Sequence, residues 1–105
     1  MARVKHFIVM SADSDRKRGD GGSADVTWSD TLGGYVVESN PPLVRIEATV
    51  YNNEAGFRGR QWEVQGASIG DNQFPTLRAA AQAVLAVANE HTRTREQARA
   101  LGLVR

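Results

Sequence analysis

At 105 residues, the chain has the length of one domain, read here as 1–105, and carries enough material for one hydrophobic core without covalent staples. It is 41% hydrophobic and 24% charged, with no cysteine, which excludes disulfides, thiolate nucleophiles and cysteine-based zinc or iron–sulfur centres. No apolar run approaches the roughly 18 residues of a membrane span, and Ala2–Met10 is too short and polar for a secretory signal, so a cytoplasmic protein with no membrane partner is expected.

The formal charge of +1 is unevenly spread. Met1–Leu77 holds 8 basic and 10 acidic residues (net −2), whereas Arg78–Arg105 holds 5 basic and 2 acidic (net +3). The carboxyl-terminal part is therefore the basic end. The preference for Arg over Lys, 11 against 2, together with 14 alanines, is what GC-rich coding would produce, and it carries no functional weight.

Val4–Met10 carries apolar residues on both parities, the pattern of a strand covered on both faces or set at a crowded place. Ser11–Ala24 follows with Asp, Ser, Arg, Lys and glycines and no hydrophobic period, predicting a flexible loop. Ala24–Ser29 and Gly34–Ser39 are two β-type runs joined by Asp30–Gly33, which predicts a hairpin. Asn40-Pro41-Pro42 ends the second strand, because proline offers no amide to a ladder.

Leu43–Tyr51 alternates strictly, with Val44, Ile46, Ala48 and Val50 on the inward parity and Arg45, Glu47, Thr49 and Tyr51 on the outward one. A turn over Asn52–Phe57 leads to its antiparallel partner, Arg60–Ile69, with Trp62 and Val64 inward and Gly66 marking a bulge or bend. Thr76 is placed to cap a helix carrying Leu77, Ala80, Ala81, Val84, Val87 and Ala88 at helical spacing. A second, short helix over 94–102 is expected, with Thr94 as its cap and Gly102 at its end. Together these predict an α+β fold: an antiparallel sheet of four to five strands, one main C-terminal helix packed on one face, and a short terminal helix.

The chemistry-bearing residues are sparse. His6 falls inside a strand and reads as a core or edge residue, and His91 reads as a residue near the negative end of a helix. Neither belongs to a zinc-like spacing. Asp13, Asp15 and Asp20 fail as a calcium loop, because Lys17 stands at a ligand position and Arg18 where the glycine should be. The glycines 19, 21 and 22 lack the Lys-Ser/Thr of a phosphate loop. No catalytic constellation, metal site or cofactor is indicated, and a non-enzymatic protein is expected.

Two surfaces then remain for binding. The sheet face opposite the helix carries Thr27, Val36, Glu38, Arg45, Glu47, Thr49, Tyr51, Gln61, Glu63 and Gln65. Its acidity disfavours a phosphate backbone, so a protein partner held through Val36, Arg45 and Tyr51 is the first expectation, with the glycine-rich loop contributing. The alternative is DNA or RNA bound by Arg78, Arg93, Arg95 and Arg99 at the basic end. Glu96-Gln97-Ala98-Arg99-Ala100-Leu101-Gly102-Leu103 resembles the first helix and turn of a helix-turn-helix, with the sequence stopping where a recognition helix would begin. In Trp62–Val84 a tryptophan strand, a glycine turn and Phe74-Pro75-Thr76-Leu77 leading into an Ala-rich helix are similar to the end of small AP2-type or arm-type DNA-binding domains, which would imply a three-stranded sheet laid into a DNA groove. An exposed sheet edge also offers a surface for homodimer pairing.

Overall fold

The computed structural model describes residues 5–54 and 59–102. Six strands, β1 (His6–Met10), β2 (Ser23–Ser29), β3 (Gly34–Ser39), β4 (Glu47–Asn52), β5 (Trp62–Gln65) and β6 (Gln73–Phe74), form one sheet in the order β1-β2-β3-β4-β5-β6. Every neighbouring pair is antiparallel. Among the described residues two helices accompany the sheet, α1 (Asp13–Lys17) and α2 (Leu77–Ala100). This is the mixed α+β architecture expected. The extra strand, β6, has only two residues, too few for a hydrophobic period to register.

The hairpin falls where the sequence placed it. Ser29 pairs with Gly34 across Asp30–Gly33, the Ser29 carbonyl accepts the Gly33 N–H at 2.9 Å, and Gly33 takes the positive φ of +68° that glycine adopts without steric cost. The strand expected from Leu43 begins later, at Glu47. Leu43–Ile46 is instead an irregular segment stapled to Ser39, whose hydroxyl donates to the Val44 carbonyl and accepts the Ile46 N–H, both at 2.7 Å. Of the turn expected over Asn52–Phe57, residues 55–57 lie outside the described part, as does Val4 at the start of the first strand.

Three other expectations are corrected. The segment 11–24 is not a free loop. It contains α1 and is fastened to α2 by the Asn89 amide, which donates to the Gly21 carbonyl at 2.9 Å. β1 is covered on one side only: Val9 is buried, while Ile8 and Met10 on the other parity are 58% and 49% exposed. No second helix starts at Thr94. α2 runs unbroken to Ala100, and the Thr94 hydroxyl donates back to the Glu90 carbonyl at 3.0 Å, an internal bond that helical threonines commonly make.

The Thr76 hydroxyl accepts the Ala79 N–H at 3.0 Å, satisfying one of the open donors at the start of α2. The helix buries Ala80, Ala81, Val84, Leu85 and Ala88 against Val9, Val26, Val37, Val50 and Val64 of the sheet. Alanines along this stripe let the helix axis approach the strands closely, and a fully buried Leu or Val contributes roughly 1.5–3 kcal/mol. α2 packs against all six strands. Its last buried residue is Thr92, so the final two turns carry no core contact. None of the helices is long and apolar enough to cross a membrane among the described residues.

Candidate protein interface

Because α2 covers the inner face, the register places a continuous set of side chains on the outer one. Thr27, Val36, Thr49 and Gln65 lie in one row across β2 to β5, and Asp25, Glu38 and Glu47 in the next. Ile8 pairs with Asp25 and His6 with Thr27, so the exposed Ile8 and Met10 of β1 extend this face at its edge. Tyr51 sits two residues beyond Thr49, diagonal to Val36.

Tyr51 is held on the sheet by a glycine. A Cβ built on Gly34 would stand 2.8 Å from Tyr51 Cδ1 and 2.9 Å from the Val50 carbonyl oxygen, so the ring lies directly over the position where any other residue would carry a side chain. Val36 and Tyr51 therefore share the outer face as expected, both half-buried.

Arg45 comes to the same side through its acids. Its Nε donates to Glu38 Oε1 at 3.0 Å and its Nη2 to Glu47 Oε2 at 3.1 Å. Glu38 and then Glu47 hold the guanidinium above its ordinary pKa. The side chain is 71% exposed, so this bridging organises the face more than it stabilises the fold. Glu63 faces the same way, with Gln65 donating to its carboxylate at 2.9 Å, and His6 Nε2 lies 3.2 Å from Asp25 Oδ1. Four carboxylates, one guanidinium and one imidazole leave this face acidic around two apolar pairs, Val36 with Tyr51 and Ile8 with Met10, which Asp25 and Thr27 of β2 separate.

The basic residues of α2 do not converge. Arg78 borders a groove with Met10, Asp13 and Arg16, whereas Arg95 stands 17 residues further on, about 25 Å along the helix at 1.5 Å per residue. Arg95 and Arg99 are exposed on consecutive turns. Arg93 is ion-paired with Asp20, which raises its pKa. The three aspartates weighed for a metal are each turned to a different guanidinium: Asp13 to Arg16, Asp15 to Arg18 and Asp20 to Arg93. His91 is not at a helix end, since α2 continues nine residues past it; it is exposed beside Val44, Glu90 and Arg95.

A second feature, invisible as a motif, is an aromatic cluster on the helix side of the sheet at the end bearing the β2–β3 hairpin turn. Tyr35 contacts Trp28 (centroids 5.1 Å), Trp62 (6.2 Å) and Phe7 (6.5 Å). These residues are far apart in sequence and meet only because β1, β2, β3 and β5 bring their inward parities together. Ile8 and Met10 were also missed as surface residues, since a run apolar on both parities gives no sign of which side is open. Family models, curated proteins and solved structures offer no match to this chain.

Proposed function

We propose that this protein is a non-enzymatic binding module that docks another protein on the outer face of its sheet. The observation that carries this reading is the pair Val36 and Tyr51, diagonal neighbours on β3 and β4 that α2 leaves uncovered, with Glu38, Glu47 and Glu63 around them and the exposed Ile8 and Met10 at the β1 edge beyond Asp25 and Thr27. Apolar centres with polar rims are the usual anatomy of such interfaces, and Tyr and Arg are favoured anchors. The acidic rim favours a partner that is basic around an apolar centre, and opposes nucleic acid. The glycine-rich loop, tethered to α2, plays no part in this face.

The test is quantitative capture from an extract of the source cells by the intact protein, by Val36→Asp with Tyr51→Ala, and by Arg95→Ala with Arg99→Ala. Folding of each is checked by circular dichroism. Proteins retained by the parent and the arginine variant but lost by the outer-face variant support the proposal. Capture unchanged by the outer-face variant removes it. Nucleic acid bound at low salt and released steeply with rising salt would move the function to the basic part of α2.

A further inference from the structure

β1 stands at one end of the strand order. The Trp28 N–H donates to the Lys5 carbonyl at 2.7 Å and the Ser11 N–H to the Gly22 carbonyl at 3.3 Å, both in the register of the β1–β2 pairing. In an antiparallel pair, alternate residues turn both backbone groups toward the same neighbour. Lys5, Phe7, Val9 and Ser11 therefore face β2, and His6, Ile8 and Met10 turn their N–H and C=O groups away from the sheet. Among the described residues only the Gln82 side-chain amide meets this edge, donating to the Met10 carbonyl at 3.3 Å. We propose that the edge pairs with β1 of a second copy, antiparallel about a two-fold axis at Ile8, joining two six-stranded sheets into one.

The edge is complementary to itself. An axis at Ile8 sets Ile8 opposite Ile8 and His6 opposite Met10 on both sides, so every outward residue of β1 gains its ladder bonds. An axis at Val9 would set His6 opposite Ala12, outside the strand, and one at Phe7 would carry Met10 past the start of β1. The Met10 carbonyl keeps a second lone pair for the ladder beside its bond from Gln82. A foreign strand would have to bring a matching pattern of its own, whereas a second copy brings it by symmetry.

The side chains agree with this pairing. Edges that stay unpaired commonly carry Lys, Pro or a bulge, whereas β1 reads His-Phe-Ile-Val-Met and matches β2 residue for residue. Ile8 and Met10 are 58% and 49% exposed. Across the axis Ile8 of each copy would meet its counterpart directly and Met10 of the other copy diagonally, so both apolar pairs would shield one another.

The acids of the outer face stay apart. Asp25 sits opposite Ile8 on β2, so the two Asp25 residues would be three strand spacings apart, about 14 Å at ~4.8 Å each. That exceeds the Debye length of about 8 Å at physiological ionic strength. Both α2 helices would lie on one side and the two outer faces would merge on the other. Pairing engages the backbone of β1, whereas the docking proposed above rests on Val36 and Tyr51, so either can fail without the other.

Sedimentation velocity of the intact protein from micromolar to millimolar concentration tests the proposal. An edge contact of this length falls at the small end of specific interfaces, so a dimer dissociating in the micromolar range is expected. Ile8→Lys sets two like charges at the axis and is expected to raise the dissociation constant about tenfold or more. Ile8→Pro, which removes the outward amide without touching the β2 ladder, should act alike. Should circular dichroism show that Ile8→Pro does not fold, Ile8→Lys, at an exposed side chain, carries the test. Val36→Asp with Tyr51→Ala is expected to leave the dimer intact. Because the chain has no cysteine, Ile8→Cys reads the register. Hydrogen-bonded residues in an antiparallel pair stand about 5.5 Å apart at Cα, within disulfide reach. Mild oxidation is therefore expected to link Ile8→Cys into dimers and to leave Thr49→Cys, on β4, unlinked. A monomer throughout the range, a dimer untouched by Ile8→Lys, or equal cross-linking of the two cysteine variants overturns the proposal.

Discussion

The Val44 N–H donates to the Thr92 hydroxyl at 2.8 Å, joining the irregular segment before β4 to a helix residue 48 positions later. The same hydroxyl donates to the Ala88 carbonyl at 2.7 Å, so one buried side chain both receives and gives. Thr92→Val keeps the shape and removes the acceptor, leaving the partly buried Val44 amide without its partner. A loss of about 1–3 kcal/mol is expected in denaturant unfolding, and Thr92→Ser, which retains the hydroxyl, should recover most of it.

The helix–sheet contact is governed by volume. Leu85 is fully buried, and Leu85→Ala should cost about 2–5 kcal/mol through lost burial and the cavity left behind. Ala81 is equally buried but fails in the opposite sense: Ala81→Leu would force the helix away from the strands and cost about 1–3 kcal/mol. Thermal unfolding of both variants separates a layer set by close packing from one that merely needs apolar residues; unchanged stability of Ala81→Leu would show the layer to be loose.

Much of this architecture is legible in the sequence because burial and period coincide. The 24–29 run alternates cleanly, the 34–39 run is rich in strand-forming Tyr and Val, a glycine turn joins them, and the Ala/Val/Leu stripe after Thr76 has helical spacing. The exceptions have local causes. α1 buries no residue and is held by short-range pairs such as Asp13 with Arg16, so it leaves no hydrophobic trace. The expected break near Thr94 rested on a capping pattern, yet Arg93, Arg95, Glu96 and Gln97 beside it are good helix formers and no Gly or Pro interrupts the helix before Gly102. On the candidate interface, strand parity was enough to put Val36 and Tyr51 on one face. The Arg45 bridge and the aromatic cluster depend on cross-strand register, which no single segment encodes.

Gly34 and Tyr51 should behave as a coupled pair. Gly34→Ala places its methyl against both the Tyr51 ring and the Val50 carbonyl oxygen, so a loss of about 1–3 kcal/mol is expected from overpacking. Tyr51→Ala in the same chain relieves the contact with the ring but not that with the backbone. The double variant should therefore recover only part of the stability, as read by a double-mutant cycle in urea. Full recovery would mean that the backbone contact relaxes freely.

Asp71 supplies a titration that tests the turn between β5 and β6. Its Oδ1 accepts the Gln73 N–H at 3.3 Å and its Oδ2 accepts from Arg60. Together these contacts lower its pKa, the backbone bond being the larger cause. Because the folded-state value lies below the unfolded one, the carboxylate contributes stability above the unfolded pKa and loses it as pH falls through the folded pKa. The carboxyl carbon shift of Asp71, followed by NMR in acid, should therefore titrate below the ordinary aspartate range. Arg60→Ala should raise that midpoint only part of the way, since the Gln73 amide remains. A complete return to the ordinary value would assign the shift to the guanidinium alone and show that the backbone bond does not hold the turn.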